Sequence, residues 1–171
     1  MKFNLLNRKI HYWLSIVAAV PVLIVIASGI LLQTKKEFAW IQPPEQRGAG
    51  KNPSLPLSEV LEIARTIPEA EIASWDDIDR LDVRPGRGML KVRAKNNWEI
   101  QIDTETGAVL QSAYRRSDII ESIHDGSFFH DAVKTWIFLP SAVILFVLWL
   151  TGIYLFLLPY LVRRRKKKVI K

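Results

Sequence analysis

The chain has 171 residues, 49% of them apolar, a formal net charge of +7 and no cysteine. The missing cysteines exclude disulfides, thiolate metal sites, iron–sulfur clusters and haem attached through a Cys-x-x-Cys-His motif. Ten of the 24 basic residues lie in the two terminal flanks, which leaves fourteen in the centre against all 17 acidic residues. This distribution argues against nucleic-acid binding, and the absence of glycine-rich phosphate motifs argues against a nucleotide or flavin site.

Two uncharged segments, 12–32 and 136–162, each exceed the ~20 residues that a helix needs to cross ~30 Å of hydrocarbon. Basic flanks favour the cytoplasm, so both termini are predicted there and the segment between the spans is predicted to be translocated. In a bacterium this corresponds to the inner membrane with a periplasmic central domain. The first apolar run is longer than the roughly 7–15 residues of a signal-peptide core, which predicts an uncleaved anchor.

The central segment predicts a small α+β domain between the transmembrane helices. Prolines and glycines indicate a linker, a 3.6-residue apolar period then predicts one helix, and two-residue alternation predicts antiparallel half-buried strands with a turn at Asn96-Asn97. Gly126 is expected to end a further short helix, and Ser127 to cap the next. The predicted segments are the basic N-terminus 1–10, span 11–33, linker 34–56, folded domain 57–116, short helix and entry 117–135, span 136–160 and basic tail 161–171.

The three histidines lie near the predicted membrane boundaries: His11 opens the first span, and His124 and His130 precede the second. Imidazole is a common axial ligand of haem iron, and on a helix His11 and Gly29 share one face. The same residues also suit ordinary interfacial contacts and helix packing. Roughly 30 Å separates His11 from the other two, so they cannot ligate one iron. A bis-histidine site therefore predicts a homodimer or a larger membrane partner.

Four motifs, in this order along the chain, resemble the PepSY-associated transmembrane family, which joins a PepSY domain to membrane helices. The resemblance covers most of the chain and implies a periplasmic helix-plus-sheet module. It also implies a link to reductases that use haem b to reduce ferric siderophores, with His11 and His124 as ligands and His130 as a further candidate. The motifs are Arg8-x-Ile10-His11-x-Trp13-Leu14, Glu99-Ile-Gln-Ile-Asp103-Thr-Glu-Thr-Gly107-Ala-Val-Leu110, Ile123-His124-x-Gly126 and Leu150-Thr151-Gly152.

The chain departs from the larger reductases of this kind in having two spans and one PepSY domain, which is typical of half of a homodimer or of an accessory subunit. Two hypotheses follow. In the first, haem b between the helices of a dimer relays electrons toward a periplasmic acceptor such as a ferric siderophore complex. In the second, a non-enzymatic anchored module binds or regulates a periplasmic protein, or serves as a subunit of a larger membrane complex. No residue is predicted to be catalytic, and no metal is predicted apart from haem iron.

Overall fold

The computed structural model describes the backbone of residues 2–50 and 52–169, and the side chains of residues 5–50 and 52–160. The chain divides into a helical unit, Met1–Ile30 with Ser122–Lys171, and a central unit, Leu31–Glu121. The helices are α1 (Lys2–Gln33), α2 (Leu57–Arg65), α3 (Arg116–Asp125), α4 (Asp131–Val133) and α5 (Leu139–Val169), and the strands are β1 (Ile78–Arg84), β2 (Met89–Ala94), β3 (Trp98–Asp103) and β4 (Val109–Tyr114).

The helical unit contains two segments long and apolar enough to cross a membrane, Leu5–Gln33 and Asp131–Tyr160, with mean hydropathies of 2.7 and 2.4. These segments confirm the two predicted spans. A π-helical turn, Lys134–Phe138, joins α4 to α5. The start of α4 corrects one expectation: the His130 side chain caps it, whereas Ser127 instead bonds to Asp125.

The four strands of the central unit form one antiparallel sheet in the order β1-β2-β3-β4. Asn97, in the turn between β2 and β3, has a positive φ of 67°, a conformation that asparagine tolerates better than most residues. On one face of the sheet, α2 packs its apolar side over the inward-facing residues of β2 and β3. This arrangement confirms the predicted α+β class. The buried core on this face includes Val60, Leu61, Ala64, Leu90, Val92, Ile100 and Ile102.

The second face of the sheet is also buried, although its side chains are polar. Lys91 and Gln101 are 0% exposed and Glu99 is 1% exposed, so β2 and β3 are not half-buried as their alternation predicts. Part of the predicted linker lies over this face: the Gln46 amide donates to Gln101 Oε1 at 2.8 Å, and the Ala49 amide donates to an Asp103 oxygen at 2.6 Å. Burial of these strands is possible because most of their polar side chains find partners, Lys91, Glu99 and Gln101 among them.

Candidate functional site

His11, on α1, contacts a hydroxyl on α5. Its Nδ1 lies 3.0 Å from Thr151 Oγ1, and that hydroxyl oxygen is also 3.0 Å from the carbonyl oxygen of Val147, one turn earlier on α5. A hydroxyl has one hydrogen, and within a helix it donates that hydrogen to a carbonyl of the preceding turn. The Thr151 oxygen therefore accepts a hydrogen bond from Nδ1–H of the neutral imidazole. From this bonding pattern we infer that the lone pair of the neutral His11 ring lies on Nε2.

His124, near the end of α3, has the same arrangement with a hydroxyl on α1. Its Nδ1 lies 3.0 Å from Ser28 Oγ, which donates to the Ile24 carbonyl at 2.6 Å. By the same reasoning we infer that the proton of the neutral His124 ring lies on Nδ1 and the lone pair on Nε2. Gly29 lies beside the same ring: a Cβ at this position would be 3.4 Å from His124 Cε1. The small residue on the face of α1 that also carries His11 therefore lies against a histidine side chain.

His130 has the opposite arrangement. Its Nδ1 accepts a hydrogen bond from the Ala132 amide at 3.0 Å, which caps the start of α4. An Nδ1 that accepts a hydrogen bond carries the lone pair, so the proton of the neutral ring lies on Nε2. His130 therefore presents an N–H at the nitrogen that His11 and His124 present as a lone pair.

The two imidazole–hydroxyl pairs lie near opposite ends of α1. Ser28 follows His11 by seventeen positions, which corresponds to about 26 Å along a helix. Each pair thus supplies one imidazole at its own level. Among the side chains that the structure describes, no group of three His, Cys, Asp or Glu residues is placed to hold a metal ion. Within one chain, the geometry offers single ligands rather than a complete coordination sphere.

Sequence patterns identified the histidines but missed their partners. Thr151 was identified only as part of the Leu150-Thr151-Gly152 motif, without a partner, and Ser28 was not identified. The pairs join residues 140 and 96 positions apart, a separation that helical periodicity cannot bridge. The one usable signal was the presence of hydroxyls within apolar spans. Hydroxyls alone do not identify the pairs, because Ser15 and Ser141, also within the spans, bond to carbonyls of their own helices and to no other side chain among the described residues.

Comparison with known proteins gives one match. The model of the family described as "PepSY-associated TM region" matches residues 8–170, which is nearly the whole chain. No curated protein and no solved structure matches the chain.

Proposed function

The chain belongs to the PepSY-associated transmembrane family, a family of membrane proteins, and we propose that it binds b-type haem and relays electrons across a bacterial inner membrane. The electron acceptor in this proposal is periplasmic, for example a ferric siderophore complex. The observation that carries the proposal is the matched orientation of two imidazoles, His11 and His124, each with a hydroxyl at Nδ1 and a lone pair at Nε2.

This arrangement suits axial ligation of haem iron. A ligating histidine usually bonds through one ring nitrogen while the other donates to a neighbouring oxygen, which fixes the tautomer and the ring plane. Thr151 and Ser28 supply that oxygen for His11 and His124. When bound, haem with two histidine ligands supplies a reversible one-electron couple at iron. The hydroxyl residues would act as positioning residues and not as ligands.

Two levels of ligation require more than one chain. His11 and His124 are too far apart to share an iron, so each needs a second imidazole from a copy of this chain or from a larger membrane partner. The basic flanks favour cytoplasmic termini, which assigns His11 to the cytoplasmic side and His124 to the periplasmic side. His130 is left out of the proposed ligand set because its Nδ1 is engaged in the helix cap and its Nε2 carries the proton.

The test is a dithionite-reduced minus oxidised absorption spectrum of the full chain, expressed with ample haem and purified in detergent. We expect the sharp α-band of low-spin b-type haem. His11→Ala should remove the haem near the cytoplasmic side, and His124→Ala the haem near the periplasmic side. Each variant should therefore lose about half of the total haem while the protein stays in the membrane. His130→Ala is the matched control and should keep the full haem content.

A flat spectrum of the unaltered chain would overturn the haem proposal and favour the anchored module that binds a periplasmic protein. Haem retained in full by both His11→Ala and His124→Ala would reject these two residues as ligands. Selective loss with His130→Ala would reverse the assignment drawn from the tautomers.

A further inference from the structure

The central unit has a groove of about 530 Å³ at the second face of its sheet, and its lining is strongly basic. Seven of the eleven lining side chains are Lys or Arg, whereas Glu45 is the one carboxylate among them. The groove lies between the segment after α1 and the polar face of the sheet, and Arg115, which follows β4, also lines it. Its lining predicts a preference for anions.

The positive charge of the groove is only partly neutralised. Glu45 is shared among three cations: it lies 2.7 Å from Arg84, 3.0 Å from Arg87 and 3.0 Å from Lys91. Three further carboxylates, Asp82, Glu99 and Asp118, pair with the lining arginines and lysine, which makes four carboxylates for seven basic residues. The groove therefore keeps an excess of about three positive charges.

Lys35 and Lys36 account for most of that excess. Both line the groove, and neither forms an ion pair with any side chain that the structure describes. They follow the last residue of α1, Gln33, by two and three positions. Since a residue extends the chain by at most ~3.6 Å, Lys35 lies within about 7 Å of the end of the first span. The lysines at the groove are thus within reach of a membrane surface.

Arg93 independently indicates that the groove binds an anion. Its side chain is 10% exposed, and its Nε has no hydrogen-bond partner among the described residues. The nearest carboxylate oxygens, on Glu99 and Asp118, are 3.9 Å from its nitrogens, too far for hydrogen bonds. A buried guanidinium N–H without an acceptor is unfavourable, and an anion in the groove that Arg93 lines would supply the acceptor.

We propose that this groove binds a phosphate group. Guanidinium groups donate to phosphate in pairs, lysines add point charge, and the combination in one groove matches a tetrahedral dianion or a phosphodiester. The phosphate comes from the headgroup of an anionic phospholipid or from a soluble phosphate. The proximity of Lys35 and Lys36 to the first span makes the headgroup reachable. This site is independent of the haem proposal, since all its residues belong to the central unit.

The test uses the full chain in a neutral detergent, titrated with phosphatidylglycerol, with zwitterionic phosphatidylcholine and with inorganic phosphate. Native mass spectrometry measures bound lipid, and calorimetry measures bound phosphate. We expect phosphatidylglycerol to bind more tightly than phosphatidylcholine, and the difference to shrink as salt screens the groove. The double variant Lys35→Gln with Lys36→Gln should weaken phosphatidylglycerol binding roughly tenfold or more, because each basic residue contributes substantially near an anionic lipid.

The matched control is Arg80→Gln with Lys95→Gln, which removes two exposed charges of the central unit that do not line this groove. Weakening confined to the lysine variant supports the site. If the lysine variant weakens the binding of phosphatidylglycerol but not of inorganic phosphate, the phosphate comes from a lipid headgroup. If it weakens the binding of inorganic phosphate, the source is a soluble phosphate. Equal affinity of the lysine variant and its control for every probe, inorganic phosphate included, would overturn the proposal. Haem content should be the same in both variants.

Discussion

The central unit buries polar side chains, whereas the helical unit exposes apolar ones. In the central unit, ionisable side chains such as Lys91 and Glu99 are fully buried and find their partners within the same unit. In the helical unit, most apolar side chains of the two candidate spans are exposed, and the hydroxyl contacts to His11 and His124 join residues that are far apart in the sequence. The central unit is therefore specified by its own contacts. The helical unit needs lipid or other helices to cover its surface.

The largest expected loss of stability comes from removing a buried charge in the central unit. The Glu99 side chain is 0% exposed and accepts hydrogen bonds from Arg115 at 2.7 Å and Gln101 at 2.9 Å. Glu99→Ala removes the buried carboxylate that lies between Lys91 and Arg115 and leaves each cation with one carboxylate fewer, which should destabilise the central unit by about 3 kcal/mol. Hydrogen exchange of the β2 and β3 amides in the full chain measures this loss.

Glu99→Gln is the matched control, since it keeps the shape and one acceptor oxygen while removing the charge. It should cost less than the alanine variant. If both variants leave the exchange rates of β2 and β3 unchanged, the polar face does not stabilise the sheet, and the contrast between the units fails.

The next effect concerns Asp103, which ends β3. Its carboxylate accepts hydrogen bonds from the amides of Thr106, Glu105 and Ala49, and the first two are the main reason that the pKa of Asp103 lies far below its usual value. A lowered folded-state pKa means that this stabilisation is complete above the unfolded-state pKa of about 3.9, and is lost as the pH falls from there through the folded-state pKa. Asp103→Asn should cost about 1.5–3 kcal/mol at neutral pH.

The pH dependence separates this charge effect from a general loss of packing. The stability gap between the unaltered chain and Asp103→Asn should be constant near neutrality and should narrow below about pH 4, where Asp103 of the unfolded chain begins to protonate while the folded-state carboxylate stays charged. Unfolding of the full chain across that pH range measures the gap. A gap that does not change with pH would assign the loss to geometry instead of charge.

The sequence predicted one face of the sheet well and the other poorly, for a physical reason. Alternation at Leu90, Val92, Ile100 and Ile102 identifies the core face, because apolar residues at a two-residue period have to be covered. The same alternation makes the intervening polar residues resemble a solvated face. Their burial depends on backbone amides of the preceding segment, those of Gln46 and Ala49. The sequence of that segment has no helical or strand periodicity from which its packing on the sheet could be predicted. The histidines were found by residue type, whereas their hydroxyl partners depend on tertiary contacts.

A smaller effect tests the apolar half of the comparison. Ile100 is fully buried against α2, so Ile100→Val removes one methylene from a closed core and should cost about 1 kcal/mol. Ile26 lies on α1 and is 53% exposed within the chain. Ile26→Val makes the same change on a surface that lacks an internal partner, and should cost less than about 0.5 kcal/mol. Thermal unfolding in detergent compares the two variants. A larger loss for Ile26→Val would mean that another chain packs against that face.

The most specific effect is expected at the hydroxyls of the helical unit, where the change in stability should again be small. Ser28→Ala removes the acceptor of His124 Nδ1–H, and Ser15→Ala removes a hydroxyl on the same helix that bonds only to a backbone carbonyl. Hydrogen bonds between membrane helices are worth about 0.6 kcal/mol on average, so both variants should stay folded. Nitrogen-15 NMR of histidine-labelled protein in detergent distinguishes them, because the chemical shifts of the ring nitrogens report the tautomer.

In the unaltered, haem-free chain, His11 and His124 should give the spectrum of a ring protonated at Nδ1, and His130 that of a ring protonated at Nε2. Ser28→Ala should shift His124 toward a mixture of tautomers and leave His11 unchanged, and Thr151→Val should do the reverse. Ser15→Ala should change neither ring. Because this readout needs no haem, it separates the hydroxyl contacts from the ligand proposal that depends on them. A δ-protonated His130, or tautomers of His11 and His124 that do not respond to their hydroxyls, would remove the reason for ranking these two histidines above the third.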